Sequence, residues 1–313
     1  MLQNFIICVN AVIPSAIYLT VGILLKVFHV VTDEEVKRFT KMTFTALYPF
    51  LMFDNLYGKD IGEHMNWLML IYGIAFSFFQ IFATWAAVNK FERNPANRSA
   101  MIQAMWRSNI VIMGLPIAIN IFGKGKVTAV AALLMFIVPI YNIMAVVLFE
   151  KFRGGKASMK HLLKGVITNP LIVGGICALI VMGLGIKVPT TIYNTIVSLS
   201  DATTPIAMIL LGASLSTGGI KADRKQVVAC VVVKLLIWPA LGIAGALLLG
   251  LTGVELIAIV LMVSTPTALA SFAMASSMGG NGDLAGEAVV FSTISACFTM
   301  PIWLFILMTG GYF

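Results

Sequence analysis

The segment Arg107-Ser108-Asn109-Ile110-Val111-Ile112-Met113-Gly114-Leu115-Pro116 reads as an apolar helix that cannot run unbroken. Proline lacks an N–H and its ring clashes with the carbonyl four residues back, so Pro116 frees the acceptor of Ile112 and marks a half-helix start. A second segment, Val263-Ser264-Thr265-Pro266-Thr267-Ala268-Leu269-Ala270-Ser271, frees the carbonyl of Met262 in the same way. Both set small or polar residues beside the breaker. Each restarted half-helix points a partial positive charge at its break, which suits a carboxylate.

The surroundings of the two segments are lipid. Of 313 residues, 59% are hydrophobic and 11% charged, far from what a soluble surface needs. Runs near the roughly 20 apolar residues that cross a bilayer recur along the chain. They predict spans over 5–28, 35–57, 67–88, 100–121 and 127–149, then over 165–184, 190–216, 226–249, 254–278 and 284–308. The first stretch has neither a basic lead nor a cleavage site, so it is expected to be a retained helix rather than a signal.

The net charge of +8 serves topology rather than nucleic acid, because the basic residues fall in short loops. One set of alternate loops holds Lys26, Lys37, Arg38, Lys41, Lys90, Arg93, Arg98, Lys151, Arg153, Lys156, Lys160, Lys164, Lys221, Arg224 and Lys225. The other holds only Lys59, Lys124, Lys126 and Lys187. The excess marks the cytoplasmic side and predicts a multi-pass protein of the cell (inner) membrane with both termini on the non-cytoplasmic face.

Prolines repeat in order through the two halves. Pro49 answers Pro205, Pro116 answers Pro266, and Pro139 answers Pro301, at separations of 156, 150 and 162 residues. Residues 1–155 and 156–313 are therefore read as two five-helix repeats. An odd number of helices per repeat makes them inverted, a plan typical of secondary transporters. Each proline alone has a plain reading as a kink or packing site, and it is their common register that points to a repeat.

The string from Asn109 to Pro116, with Gly114 two before the proline, resembles the auxin efflux carrier family, which includes plant carriers and bacterial organic-acid permeases. Ser264 to Asn281, Glu287 to Ser292, Met300-Pro301 and Lys234 to Pro239 resemble it as well. The resemblance spans the whole chain, although the long central hydrophilic loop of many plant members is reduced to 150–164. It implies a fold like that of sodium-proton antiporters, with helices four and nine crossing at their breaks. Helices 3–5 and 8–10 would form a carrier moving like an elevator against a dimeric scaffold of helices 1, 2, 6 and 7. Asn109 would face the substrate carboxylate, with Gly114, Pro116, Ser264, Thr265, Pro266 and Thr267 around it.

Some of the charges lie deep inside predicted spans, where a basic or acidic group costs about 2.5 to 3.5 kcal/mol on insertion scales. Arg107 and Lys234 are candidates to attract an anion or to stand in for a coupling cation. Their plain reading is that Arg107 snorkels to the cytoplasmic surface and Lys234 pairs with Glu287 or a helix end. Asp201 is a candidate proton site, and a structural pairing is the plain reading for it and for Asp54.

No cofactor or metal is expected. The four cysteines (Cys8, Cys177, Cys230, Cys297) have no ligand spacing, and His29, His64 and His161 fall in loops. The absence of histidine from the spans argues against an intramembrane enzyme. The expectation is a carrier of small organic anions in a lipid bilayer, working as a homodimer. The competing one is a sodium- or proton-coupled symporter or antiporter, which should show acids beside the breaks.

Overall fold

The structure is a computed structural model that describes residues 2–58, 66–123, 127–153, 170–214, 224–268 and 270–313. Its described elements are helical throughout: α1 (Leu2–Val27), α2 (Asp33–Met42), α3 (Tyr48–Leu56), α4 (Trp67–Phe91), α5 (Pro95–Trp106), α6 (Leu115–Phe122) and α7 (Thr128–Arg153). They continue with α8 (Pro170–Gly183), α9 (Thr190–Ser214), α10 (Arg224–Val232), α11 (Trp238–Leu248), α12 (Gly253–Ser264), α13 (Ala270–Ser277) and α14 (Gly282–Thr309). Five continuous stretches among the described residues are long and apolar enough to cross a membrane, and shorter apolar helices lie between them. The chain is a polytopic helical membrane protein. The junction of the two proposed repeats, the predicted start of the sixth span at Gly165, His64 and His161 lie outside the described residues.

Among the described residues a π turn stands just ahead of a proline at three places: Thr43–Leu47 before Tyr48-Pro49, Ile110–Gly114 before Leu115-Pro116, and Val233–Ile237 before Trp238-Pro239. The residue preceding each proline donates its N–H five positions back, to Thr43, Ile110 and Val233. The wider turn lets the backbone pass the ring without ending the helix. At the third site the carbonyl of Leu235, four before Pro239, accepts the indole N–H of Trp303 from α14 at 3.0 Å.

Among the described residues, α1 with α9 and α3 with α8 touch backbone to backbone. A Cβ on Gly22 of α1 would lie 1.9 Å from the carbonyl oxygen of Ile209 in α9, and one on Gly212 would lie 2.1 Å from that of Leu19. A Cβ on Gly174 of α8 would lie 2.2 Å from the carbonyl oxygen of Pro49 in α3. Small residues permit this approach, which is how helices associate where lipid offers no hydrophobic drive. The hydroxyl of Tyr193 on α9 reaches Asp54 on α3 at 3.1 Å, so Asp54 joins these helices in a structural pairing.

At the other extreme is α12, in which every residue from Leu256 to Ser264 is buried. A helix apolar all round belongs inside a large core. The chain thus carries the ninth segment through the centre of the protein, and its interrupted end is shielded from lipid.

Candidate functional site

The two interruptions meet. Between α5 and α6 the chain leaves the helical path at Arg107 to Asn109, with Arg107 extended, and between α12 and α13 it leaves it around Thr265 to Ala268, with Thr265 extended. The two pieces pair antiparallel at Ser108 and Thr267. The N–H of Asn109 bonds Pro266 O at 2.8 Å, and the N–H of Ala268 bonds Arg107 O at 3.0 Å. Irregular backbone inside a membrane protein needs such internal partners, because lipid offers none.

The site of the first interruption differs from the sequence expectation. Pro116 is not where the fourth segment breaks; the helix stops nine residues earlier, at its C-cap Arg107. Pro116 occupies the start of α6, where its missing N–H costs little, and the π turn before it absorbs its ring. In the ninth segment Pro266 does sit within the break.

Side chains close the ends that the breaks leave open. The hydroxyl of Thr267 donates to Ala104 O, near the end of α5, at 2.7 Å, while the hydroxyl of Ser108 donates to Met262 O, near the end of α12. The N–H of Thr267 bonds Ser292 Oγ of α14 at 3.1 Å. The buried ammonium of Lys234, 0% exposed, donates to Ser108 Oγ and to Val263 O, the latter at 3.0 Å. Lys234 therefore meets a helix end rather than Glu287.

Arg107 does not snorkel. It is 7% exposed, and its guanidinium donates to Asn142 Oδ1 of α7 at 2.6 Å and to Met274 Sδ of α13 at 3.0 Å. Among the described residues neither Arg107 nor Lys234 forms an ion pair. Two buried basic side chains thus flank the crossing, each hydrogen-bonded to neutral groups.

The remaining residues divide by what their polar atoms do. Asn109 Nδ2 and Thr265 Oγ1 are buried without a hydrogen-bond partner among the described residues. Ser264 spends its hydroxyl on Val260 O at 2.6 Å, one turn back in its own helix. Gly114 has no room for a side chain: a Cβ there would lie 2.8 Å from Ile110 Cγ1 and 3.3 Å from Thr265 Cγ2. Its absence of a side chain lets α6 start beside the end of α12.

A cavity of about 180 Å³ opens next to the crossing rather than at it. Pro116, Ile119 and Asn120 of α6 line one side, and Ser200, Asp201, Thr204 and Pro205 of α9 line another, with Pro14, Tyr18 and Leu51 completing it. Asp201 and Pro116, far apart in sequence, both line this cavity.

Sequence reasoning did not single out Ser108, Asn142 or Ser292 as site residues. Asn142 and Ser292 carry a faint signal as amide and hydroxyl groups inside otherwise apolar spans. Ser108 could have been found by asking which hydroxyl can reach the carbonyl that Pro266 frees.

Residues 155–304 match the membrane transport protein family. The chain is 22% identical over 306 residues to an uncharacterized transporter of Methanocaldococcus jannaschii, an alignment covering 96% of this chain and 98% of the relative. It is 25% identical over 304 residues to an uncharacterized transporter of Methanothermobacter thermautotrophicus, covering 94% and 96%.

Proposed function

We propose that this chain, which belongs to the membrane transport family recognised in its sequence as that of the auxin efflux carriers, is a secondary transporter of small organic anions. The family and both relatives make it a membrane transporter rather than an enzyme. The observation that carries the anion reading is the charge at the crossing. Arg107 and Lys234 are buried there without an ion pair among the described residues, beside the partnerless donors Asn109 Nδ2 and Thr265 Oγ1. Buried cations are destabilising unless paired, and a carboxylate supplies the missing charge while accepting from both donors.

The cavity supports an entry route, since it runs along α6 to Pro116, seven residues after Asn109 in the interrupted segment. The reciprocal pairs α1 with α9 and α3 with α8 are what an inverted repeat produces, with these four helices as a scaffold. On that reading α4 to α7 and α10 to α14 form a carrier that slides as an elevator. The protein would work as a homodimer through the scaffold in the cell membrane, both termini outside.

Uptake of labelled mono- and dicarboxylates into proteoliposomes, with and without sodium and pH gradients, tests this. Saturable uptake of a carboxylate without a sodium gradient is the expected result. Uptake that occurs only with sodium or with a proton gradient would favour the cation-coupled symporter or antiporter, and failure of every carboxylate to cross would end the anion reading.

A further inference from the structure

The oxygen atoms around Lys234 form a small cation site that the protein has filled with its own side chain. The C-terminal end of a helix carries about half a negative elementary charge on its open carbonyls. In α12 that end lies deep in the protein, with Met262 and Val263 both buried. Met262 O receives the Ser108 hydroxyl, and Val263 O receives the Lys234 ammonium, which also holds Ser108 Oγ. One positive charge is thereby bound by oxygens from both interrupted segments.

In transporters with broken helices, unwound carbonyls and half-helix C-terminal ends are the groups that coordinate sodium ions or protons. Here the same kinds of atoms coordinate an ammonium fixed to α10–α11 through the π turn Val233–Ile237. We infer that Lys234 acts as a tethered cation, holding the crossing in the form that accepts an anion and making the carrier independent of sodium. This inference rests on the transport reading above, and it names the coupling of that same site. Lys234 is a positioning residue on this account, acting through Ser108 and the end of α12 without touching the substrate.

Lys234→Ala leaves the oxygens in place with an empty space where the side chain lay, so a small free cation becomes able to bind. Lys234→Met fills the space without charge, and Lys234→Arg keeps the charge.

The experiment measures thermal unfolding of the purified full chain, and dicarboxylate uptake in liposomes, in sodium chloride, methylammonium chloride and choline chloride. Wild type and Lys234→Arg are expected to behave alike in all three salts. Lys234→Ala should lose uptake by about tenfold or more in choline and regain most of it with sodium or methylammonium, as expected when a buried charge site is refilled. Its unfolding temperature should follow the same order, whereas Lys234→Met should be impaired in every salt.

A wild type that needs sodium for stability or uptake would overturn the inference, as would Lys234→Ala indifferent to the salt. Should Lys234→Ala not fold in choline, its yield on extraction in sodium or methylammonium against choline reads the same dependence, and equal failure in all three counts against the inference. The unfolding arm decides the matter even if no acid is transported, so loss of the anion reading and loss of the tethered cation are separate results.

Discussion

Ser108 and Thr267 face each other across the antiparallel bridge, and each hydroxyl bonds a carbonyl near the broken end of the other's helix, Ser108 to Met262 and Thr267 to Ala104. The two breaks are mutual caps. Interrupting one helix alone would leave open carbonyls in a dry interior, where each unsatisfied group costs about 1 to 3 kcal/mol. Interrupting both at one place lets each supply what the other lacks.

This makes the two hydroxyls energetically coupled. Ser108→Ala and Thr267→Val should each destabilise the purified protein by about 1 to 3 kcal/mol, because a buried acceptor is left open. The double variant should be less unstable than the sum by about 0.5 kcal/mol or more, as residues in one network are not additive. Unfolding of the four proteins in detergent checks this, and strict additivity would show that the caps act separately.

Asn109 offers a separation of function from stability. Its amide nitrogen has no partner among the described residues, so truncation removes a buried unsatisfied donor and should leave the unfolding temperature unchanged or slightly raised. If the amide meets the substrate carboxylate, Asn109→Ala should raise KM for uptake by about tenfold, the loss of one charge-assisted hydrogen bond. Unaltered KM with unaltered stability would take Asn109 out of the site.

Asp201 lines the same cavity as Pro116 and places a carboxylate on the proposed route of an anion. Like charges several ångströms apart near a protein surface repel by about 1 kcal/mol or more, so Asp201→Asn should lower KM by about fivefold. The gain should shrink at high salt, which screens the repulsion. A raised KM would instead mark Asp201 as a proton or cation site that assists uptake.

The indole of Trp303 holds the Leu235 carbonyl that Pro239 deprives of a helical donor. Trp303→Phe should destabilise by about 1 to 3 kcal/mol, read as a drop of several degrees in unfolding temperature. Pro239→Ala supplies a backbone N–H to the same carbonyl, so in that background the effect of Trp303→Phe should be smaller. An equal effect in both backgrounds would show that packing of the ring, and not the hydrogen bond, is what Trp303 contributes.

The amino-acid order by itself determined where lipid surrounds the chain and where the ladder must fail. Apolar runs between basic loops define the helices, and Pro266 frees Met262 whatever the fold, because a missing N–H is a local covalent fact. The cluster Arg107-Ser108-Asn109 was visible as polar residues in an apolar run, while its being the actual break was not. A proline in a first helical turn is tolerated, so Pro116 could mark a start without being the interruption.

Only the tertiary structure decided which groups answer the open carbonyls. Ser108 reaches Met262 across 154 residues of sequence and Lys234 reaches Ser108 across 126, and no periodicity encodes such pairings. Hydrogen bonds of this kind are set by which helix ends arrive together. A buried acceptor must be satisfied by whatever donor packing brings within about 3 Å, and that depends on the whole fold.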